Sequence, residues 1–406
     1  MPRRRLKLRG ANPLRWPRPY QFAATIIVAG AAAGVLAAWP SAAPVGRTFY
    51  VSPTGSDRAA GRNTHHPWRT LSRVLRARLR PGDRVLLRGS ATFSGVQFEP
   101  HVSGEAGRPI EFASYGPGRA AISASEGAVF LGGGVSNLVF HDLRLTTDGG
   151  TSAIVSDSAS GPPSKNIEVS DCQLVDSGGA AVISNQSTAT GWSIVGNAIK
   201  HVGDSGIIVR GGRPLISGNT ISDVGWNPAI TWPKHGIYVK APNATISGNT
   251  IRGFPSNGIS LRYPNATVTH NTISDGPIGI AYFSDSPAAG TSLVADNVVQ
   301  DVSKAAFYYD GNVYGGGDHP RESFVIRDND LASGGAVIDV SGAAYASIRV
   351  QGNRISGPYR FALQAVEPVD GMLVERQDRV VGAARVLWNG AAISLAEFRV
   401  ASAQTP

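Results

Sequence analysis

Short runs in which apolar and polar residues alternate recur along this chain, and the polar breaks between them are as regular as the runs. SIVGNAI at 193–199, LISGNTI at 215–221, TISGNTI at 245–251 and TVTHNTI at 267–273 are the clearest. LVADNVV at 293–299, VIRDNDL at 325–331 and IRVQGNRI at 348–355 continue the series. Their shared polar position reads as Asp142, Asp171, Asn197, Asn219, Asn249, Asn271, Asn297, Asn329 and Asn353, with Asp378 as a tenth, at steps of 22 to 32 residues. A second motif, G-I-x-V, falls between them: GIIVR at 206–210, GIYVK at 236–240, GISLR at 258–262 and GIAYF at 279–283, with AFYYD at 306–310 a looser copy. Period-2 alternation predicts short strands with alternate Ile, Val and Leu facing inward. A 22-residue repeat has room for two or three strands and their turns but none for a helix. Such a unit cannot bury its own apolar face, so each must stack on its neighbours. The pattern predicts an all-β fold, a right-handed parallel β-helix (solenoid) of about ten coils, roughly 50 Å long at ~4.8 Å per coil. The recurrent Asn would then stack as an amide ladder along the rod.

Residues 45–135 read as an N-terminal cap and first coils, and 136–400 as the remaining coils with a C-terminal cap. Within the cap, PWRTLSRVLRARLRPGD predicts a short capping helix. Trp68, Leu71, Leu75 and Leu79 would share its inner face, with Arg69, Arg73, Arg76 and Arg80 in solvent. The lid is expected because an open solenoid end exposes apolar core and strand edges.

Composition adds little to the fold but changes the reading of charge. The chain holds 49 Gly, 2 Met and a single Cys, so stacking and not disulfide bonding is expected to stabilise it. Cys172 lies in an alternating strand and is expected to be a buried thiol. Of the net +9, residues 1–44 contribute seven basic side chains and no acid, leaving 31 basic against 29 acidic residues. That balance argues against a nucleic-acid-binding field. The same 44 residues pair a basic start with the apolar stretch Phe22–Ala38, the pattern of a signal peptide or signal anchor. The expected location is secreted, periplasmic or at a bacterial cell surface, with membrane contact only through that segment and a monomeric rod.

The opening YVSPTGSD…PWRTL…RPGDRVLLRG, followed by G-I-x-V and G-N-x-I coils and closed by VLWNGAAISLAEFRV, resembles the β-helix proteins of the pectate-lyase-like superfamily over about residues 45–400. The resemblance implies the fold and a carbohydrate partner. It leaves the reaction open, because such repeats serve lyases, hydrolases, epimerases and non-enzymes.

Candidate chemistry lies on the coils' outer faces. With Ile207, Ile237, Ile259 and Ile280 inward, the fourth residue after each Gly forms an outward row of Arg210, Lys240, Arg262, Phe283, Asp310 and, in looser register, Asp339. Three cations about 4.8 Å apart repel unless anions lie among them. The row therefore predicts a site for an anionic polysaccharide, unless carboxylates of the chain neutralise it. The spacer from ladder Asn to Gly lengthens from nine residues to seventeen at 219–236, adding Trp226, Trp232, Lys234 and His235. The spacer from Gly to Asn reaches twenty-three at 306–329, adding Asp318 and Glu322. Loops of this kind would wall a groove, with Arg210, Trp226, Trp232, Lys234, Tyr308 and Asp310 as substrate-binding residues. For β-elimination from a uronate, Lys240 is the expected base, Arg262 the carboxylate clamp, and His235 or Tyr238 the donor to the leaving oxygen. Lys240 and Arg262 one coil apart resemble calcium-dependent lyases of the alginate and chondroitin type. That resemblance implies Ca²⁺, for which Asp310, Asp318 and Glu322 are candidate donors, although the acidic residues that the pattern expects on preceding coils are absent from the cationic end of the face. KHGIYV and GISLR also resemble polygalacturonase segments, with Asp204 one coil earlier, but hydrolysis needs a second carboxylate that the sequence does not supply. A non-catalytic glycan-binding or structural rod is the third reading.

Overall fold

The computed structural model describes residues 46–147, 149–156, 161–285, 288–311, 322–340, 345–365, 372–382 and 384–403. The signal or anchor segment at 1–44 and the insertion residue Asp318 lie outside them. Among the described residues no helix is long and apolar enough to cross a membrane.

From Ile110 onward each coil contributes one strand to each of three parallel faces. The first face holds thirteen strands, from Thr48–Val51 to Met372–Arg376. The second and third are joined by one 13-residue strand, Val298–Asp310, which runs through both. The ten coils expected from the repeats correspond to those from residue 136 onward, with the cap strands added below. Alternation sets the interior as predicted. Ile194, Ile216, Ile246, Val268 and Val294 stack in register from the first face. Ile207, Ile237, Ile259 and Ile280 do so from the third. All nine are at most 1% exposed, so the core is continuous from coil to coil.

The amide ladder turns the corner between the first and second faces. From Asn197 to Asn353, each side-chain Nδ2 donates to the Oδ1 of the next residue up at 2.8–2.9 Å. Each backbone N–H donates to that same Oδ1. The first two expected members are corrected by one residue. Cys172, not Asp171, donates its N–H to Asn197 Oδ1 at 2.9 Å and so occupies the ladder position. Asp142 and Asp171 instead adopt positive φ (53° and 50°), like Gly196, Gly218 and Gly248 just before each ladder Asn. Aspartate tolerates that left-handed corner, and this is why it mimics the motif in sequence. Cys172 is buried as expected, and burial pushes its thiol up to about 12.

The cap helix is shorter than predicted, spanning Leu71–Leu75, with Thr70 Oγ1 accepting from Arg73 N–H at its start. Trp68 lies before the helix and forms an isolated parallel bridge with Val51. Beyond the helix, burial alternates residue by residue: Leu75, Ala77 and Leu79 pack on the core while Arg76, Arg78 and Arg80 are exposed. Period 2 prevails over period 3.6 there because every second residue is arginine.

At the far end the ladder stops on Asp378, whose Oδ1 accepts from Asn353 N–H (2.6 Å) and Nδ2 (2.9 Å). Its Oδ2 is buried without a partner. Burial pushes the Asp378 carboxyl up from its ordinary 3.8, with the Glu375 charge adding to the rise against the two Asn353 hydrogen bonds. The folded protein therefore retains a proton that the unfolded chain has released. Stability contributed at this site falls as pH rises from about 3.8 through the folded value. Asp378→Asn should melt like the parent near pH 3 and several degrees higher near pH 8. Its amide would find the Val350 carbonyl, as Asn353 Nδ2 finds that of Ile326 one coil earlier. Circular dichroism melts check this, and equal midpoints near pH 8 would clear the ionised carboxylate of any cost.

Candidate functional site

The third face carries the expected row. Pairing of Val209 with Val239 and of Val239 with Leu261 sets Arg210, Lys240 and Arg262 side by side, while Phe283 pairs Asp310. Asp339 does not join it: it pairs with Tyr308, because the strand Ala336–Val340 docks two residues away from the expected register. A two-residue step preserves which side chains face inward, so alternation alone could not exclude it.

The cations are not alone. Lys240 Nζ lies 2.6 Å from Asp285 Oδ2, and Arg262 Nη1 lies 3.4 Å from Asp285 Oδ1. These side chains are only 14–25% exposed, so their charges are weakly screened. The guanidinium of Arg262 also lies over the rings of Tyr238 (5.4 Å) and Phe283 (4.7 Å). Asp285 was missed in sequence because it falls past the end of the G-I-x-V window. Its place two residues beyond Phe283, on the outward parity, was the available signal.

Beside the row opens a cleft of about 430 Å³ whose lining includes Asp204, Ser205, Arg210, Trp232, His235, Tyr238 and Arg262. The long loop forms its wall. Trp232 is 58% exposed, yet its indole Nε1 donates to Asp204 Oδ2 at 3.1 Å, which fixes the ring at the rim. The other oxygen of Asp204 accepts from Ser205 N–H (2.6 Å), and Ser205 Oγ accepts in turn from His235 N–H (2.9 Å). His235 is 2% exposed, its ring 5.0 Å from that of Tyr238 and its Nδ1 without a partner. Burial, and after it the charge of Arg262, lowers its pKa to about 3, so the imidazole is neutral at ordinary pH.

Of the predicted site residues, Arg210, Trp232, His235, Tyr238 and Arg262 meet in this cleft. The others do not. Lys240 is turned to Asp285 and does not line it. Trp226 stacks on His201 at 5.3 Å, and His201 is bonded to Asp223 on the second face. Lys234 staples the loop internally, donating to the carbonyls of Asn227 (2.7 Å) and Gly225 (3.2 Å). Tyr308 packs on Phe283, and Asp310 follows it in the row. Glu322 is fully buried, accepting from Tyr282 Oη (2.7 Å) and Ser284 Oγ (2.9 Å) in the rod interior. Among the described residues no three His, Cys, Asp or Glu side chains converge as a metal site would require.

Residues 152–376 match the family described as right handed beta helix region. No curated protein matches the chain in sequence. Solved structures of similar fold include XylC in complex with xylose, at 10% identity over 83% of this chain and 87% of that one, with a TM-score of 0.58. The lacto-N-biosidase of family GH136 from Eubacterium ramulus gives 14% identity over 83% and 68%, at 0.53. A protein described as a glycoside hydrolase gives 10% over 85% and 96%, at 0.54. At these identities the likeness is one of fold.

Proposed function

The chain belongs to the right-handed β-helix family, and on that premise we propose that its third-face cleft binds an acidic, uronate-containing glycan and cleaves it by β-elimination. One observation carries the reading: two arginines from alternate coils, Arg210 and Arg262, line the same cleft as a neutral histidine and an exposed tryptophan face. Solved structures of similar fold include a lacto-N-biosidase and a protein in complex with xylose, which supports a carbohydrate partner.

A uronate carboxylate seated between Arg210 and Arg262 would have its developing enolate charge stabilised by both guanidiniums. Burial is the main cause depressing His235 and the Arg262 charge the lesser one, and the same carboxylate offsets that charge. His235 thus becomes more basic as substrate binds and accepts the proton alpha to the carboxylate. The electron pair forms the ring C=C bond, and the glycosidic C–O bond breaks. Tyr238, beside both His235 and Arg262, delivers a proton to the leaving oxygen. Trp232 offers a sugar platform at the rim. Lys240, the base expected from sequence, acts here through Asp285 to hold Arg262 in place. Export of the protein is part of the same reading and rests on the basic and apolar segments of residues 1–44.

The test is incubation with pectate, alginate and chondroitin, following unsaturated-uronate absorbance together with reducing ends. Absorbance should rise on one of them, and His235→Gln should lower turnover by about 10²–10⁴ while leaving binding largely intact. Reducing ends without absorbance would replace elimination by hydrolysis. Silence in both, with binding retained, would leave a non-catalytic glycan-binding rod.

A further inference from the structure

The charge of the chain is unevenly placed. Residues 46–88 carry ten arginines against Asp57 and Asp83, a net +8, whereas residues 89–406 hold 21 basic and 27 acidic side chains, a net −6. The cap's two carboxylates are engaged within its own fold. Asp83 accepts from Arg47 N–H and side chain and from Arg80 N–H. Asp57 accepts from Arg69 N–H, Thr70 N–H and Thr70 Oγ1. Among the described residues no ion pair is made by the side chains of Arg76, Arg78 or Arg80. Alternation presents these three together: Leu75, Ala77 and Leu79 pack inward and the arginines between them are exposed. Arg58, Arg62, Arg69 and Arg88 are exposed on the same cap.

Solvent alone gives no reason for this concentration. Like charges on one small surface repel, and the rod beyond carries the opposite sign. The apolar stretch Phe22–Ala38 ends only seven residues before Gly46, a tether of at most about 25 Å. A bilayer entered by that stretch would hold the cap near its surface, where a field with a Debye length of about 8 Å acts on it.

We propose that the arginine-rich N-terminal cap docks the rod on a membrane surface bearing anionic phospholipid, through Arg76, Arg78, Arg80 and the exposed arginines around them. The proposal rests on membrane entry by residues 22–38 and is independent of the chemistry in the cleft. Docking at the cap leaves the third-face cleft, borne on later coils, open to a polymer.

The full chain is sedimented with vesicles of phosphatidylcholine alone and of phosphatidylcholine mixed with phosphatidylglycerol. The parent should prefer the anionic vesicles, and high salt should abolish the preference. The variant R76E/R78E/R80E should lose at least about tenfold of it while keeping the parent's circular dichroism spectrum and melting midpoint. Reversal of Arg327, Arg349 and Arg354, at the far end of the rod, should leave it unchanged. The proposal is overturned by a parent without preference, by a cap variant that retains it, or by a far-end variant that loses it equally. Because residues 1–21 are present in every variant, their own basicity cannot mimic the cap's effect.

Discussion

Asn271→Ala should lower unfolding stability by about 3–5 kcal/mol, far more than an exposed substitution on the same coil such as Thr272→Ala. Asn271 is fully buried, and its Oδ1 accepts from both the backbone N–H and the Nδ2 of Asn249. Its own Nδ2 donates to the carbonyl of Ile246 and to Asn297 Oδ1. Alanine removes these four bonds and a fifth, from the same Nδ2 to the Thr269 carbonyl, and deprives the Asn249 N–H and Nδ2 and the Ile246 and Thr269 carbonyls of a partner in a packed corner. Each stranded group costs about 1–3 kcal/mol, partly relieved by local relaxation. A solenoid transmits such damage only to adjacent coils. Hydrogen exchange should therefore accelerate around Ile246–Val299 while the N-terminal coils stay protected. A urea midpoint within error of the parent's would show that the ladder serves only as a repeat marker.

The second large effect is expected at Asp285. Asp285→Asn removes the carboxylate that Lys240 and Arg262 share. Repulsion across weakly screened neighbours should lower stability by about 1–3 kcal/mol at low ionic strength. The same unbalanced charge should favour an incoming polyanion by ~1.4 kcal/mol, which is about tenfold in affinity for a polyuronate. Binding isotherms at several salt concentrations measure both the gain and a steeper salt dependence. Weaker binding in the variant would mean that the hold of Asp285 on Lys240 and Arg262 outweighs the added charge in setting affinity.

These two sites differ in how far the sequence disclosed them. The ladder was legible because each Asn recurs at a corner fixed by flanking alternation. The first members slipped because Asp142 and Asp171 occupy the left-handed position next to it, with Cys172 hidden in an amide's place. The cation row was legible for the same reason, as period 2 dictates which residues of GIYVK and GISLR turn outward. What lay outside strands was not. No periodicity guides the path of the 224–235 loop. Trp232 closing on Asp204, Trp226 leaving for His201 and Lys234 binding its own loop are tertiary outcomes. Asp339 shows the limit within strands: parity was right and register was not.

The way the last coils finish bears on how these molecules behave in company. A stack of parallel strands presents at its end a row of unsatisfied N–H and C=O groups, and another molecule's first coil could add there without limit. Here Ala391–Ser394 runs antiparallel to Arg385–Trp388, reversing the direction that any addition on the third face would have to follow. The helix Leu395–Ala403 then buries Phe398 against Trp388 and ties Arg399 to Glu375 of the first face. The reversed strand and the helix over it oppose templated addition of another copy at this edge of the third face, and crowded solutions should stay free of filaments grown there.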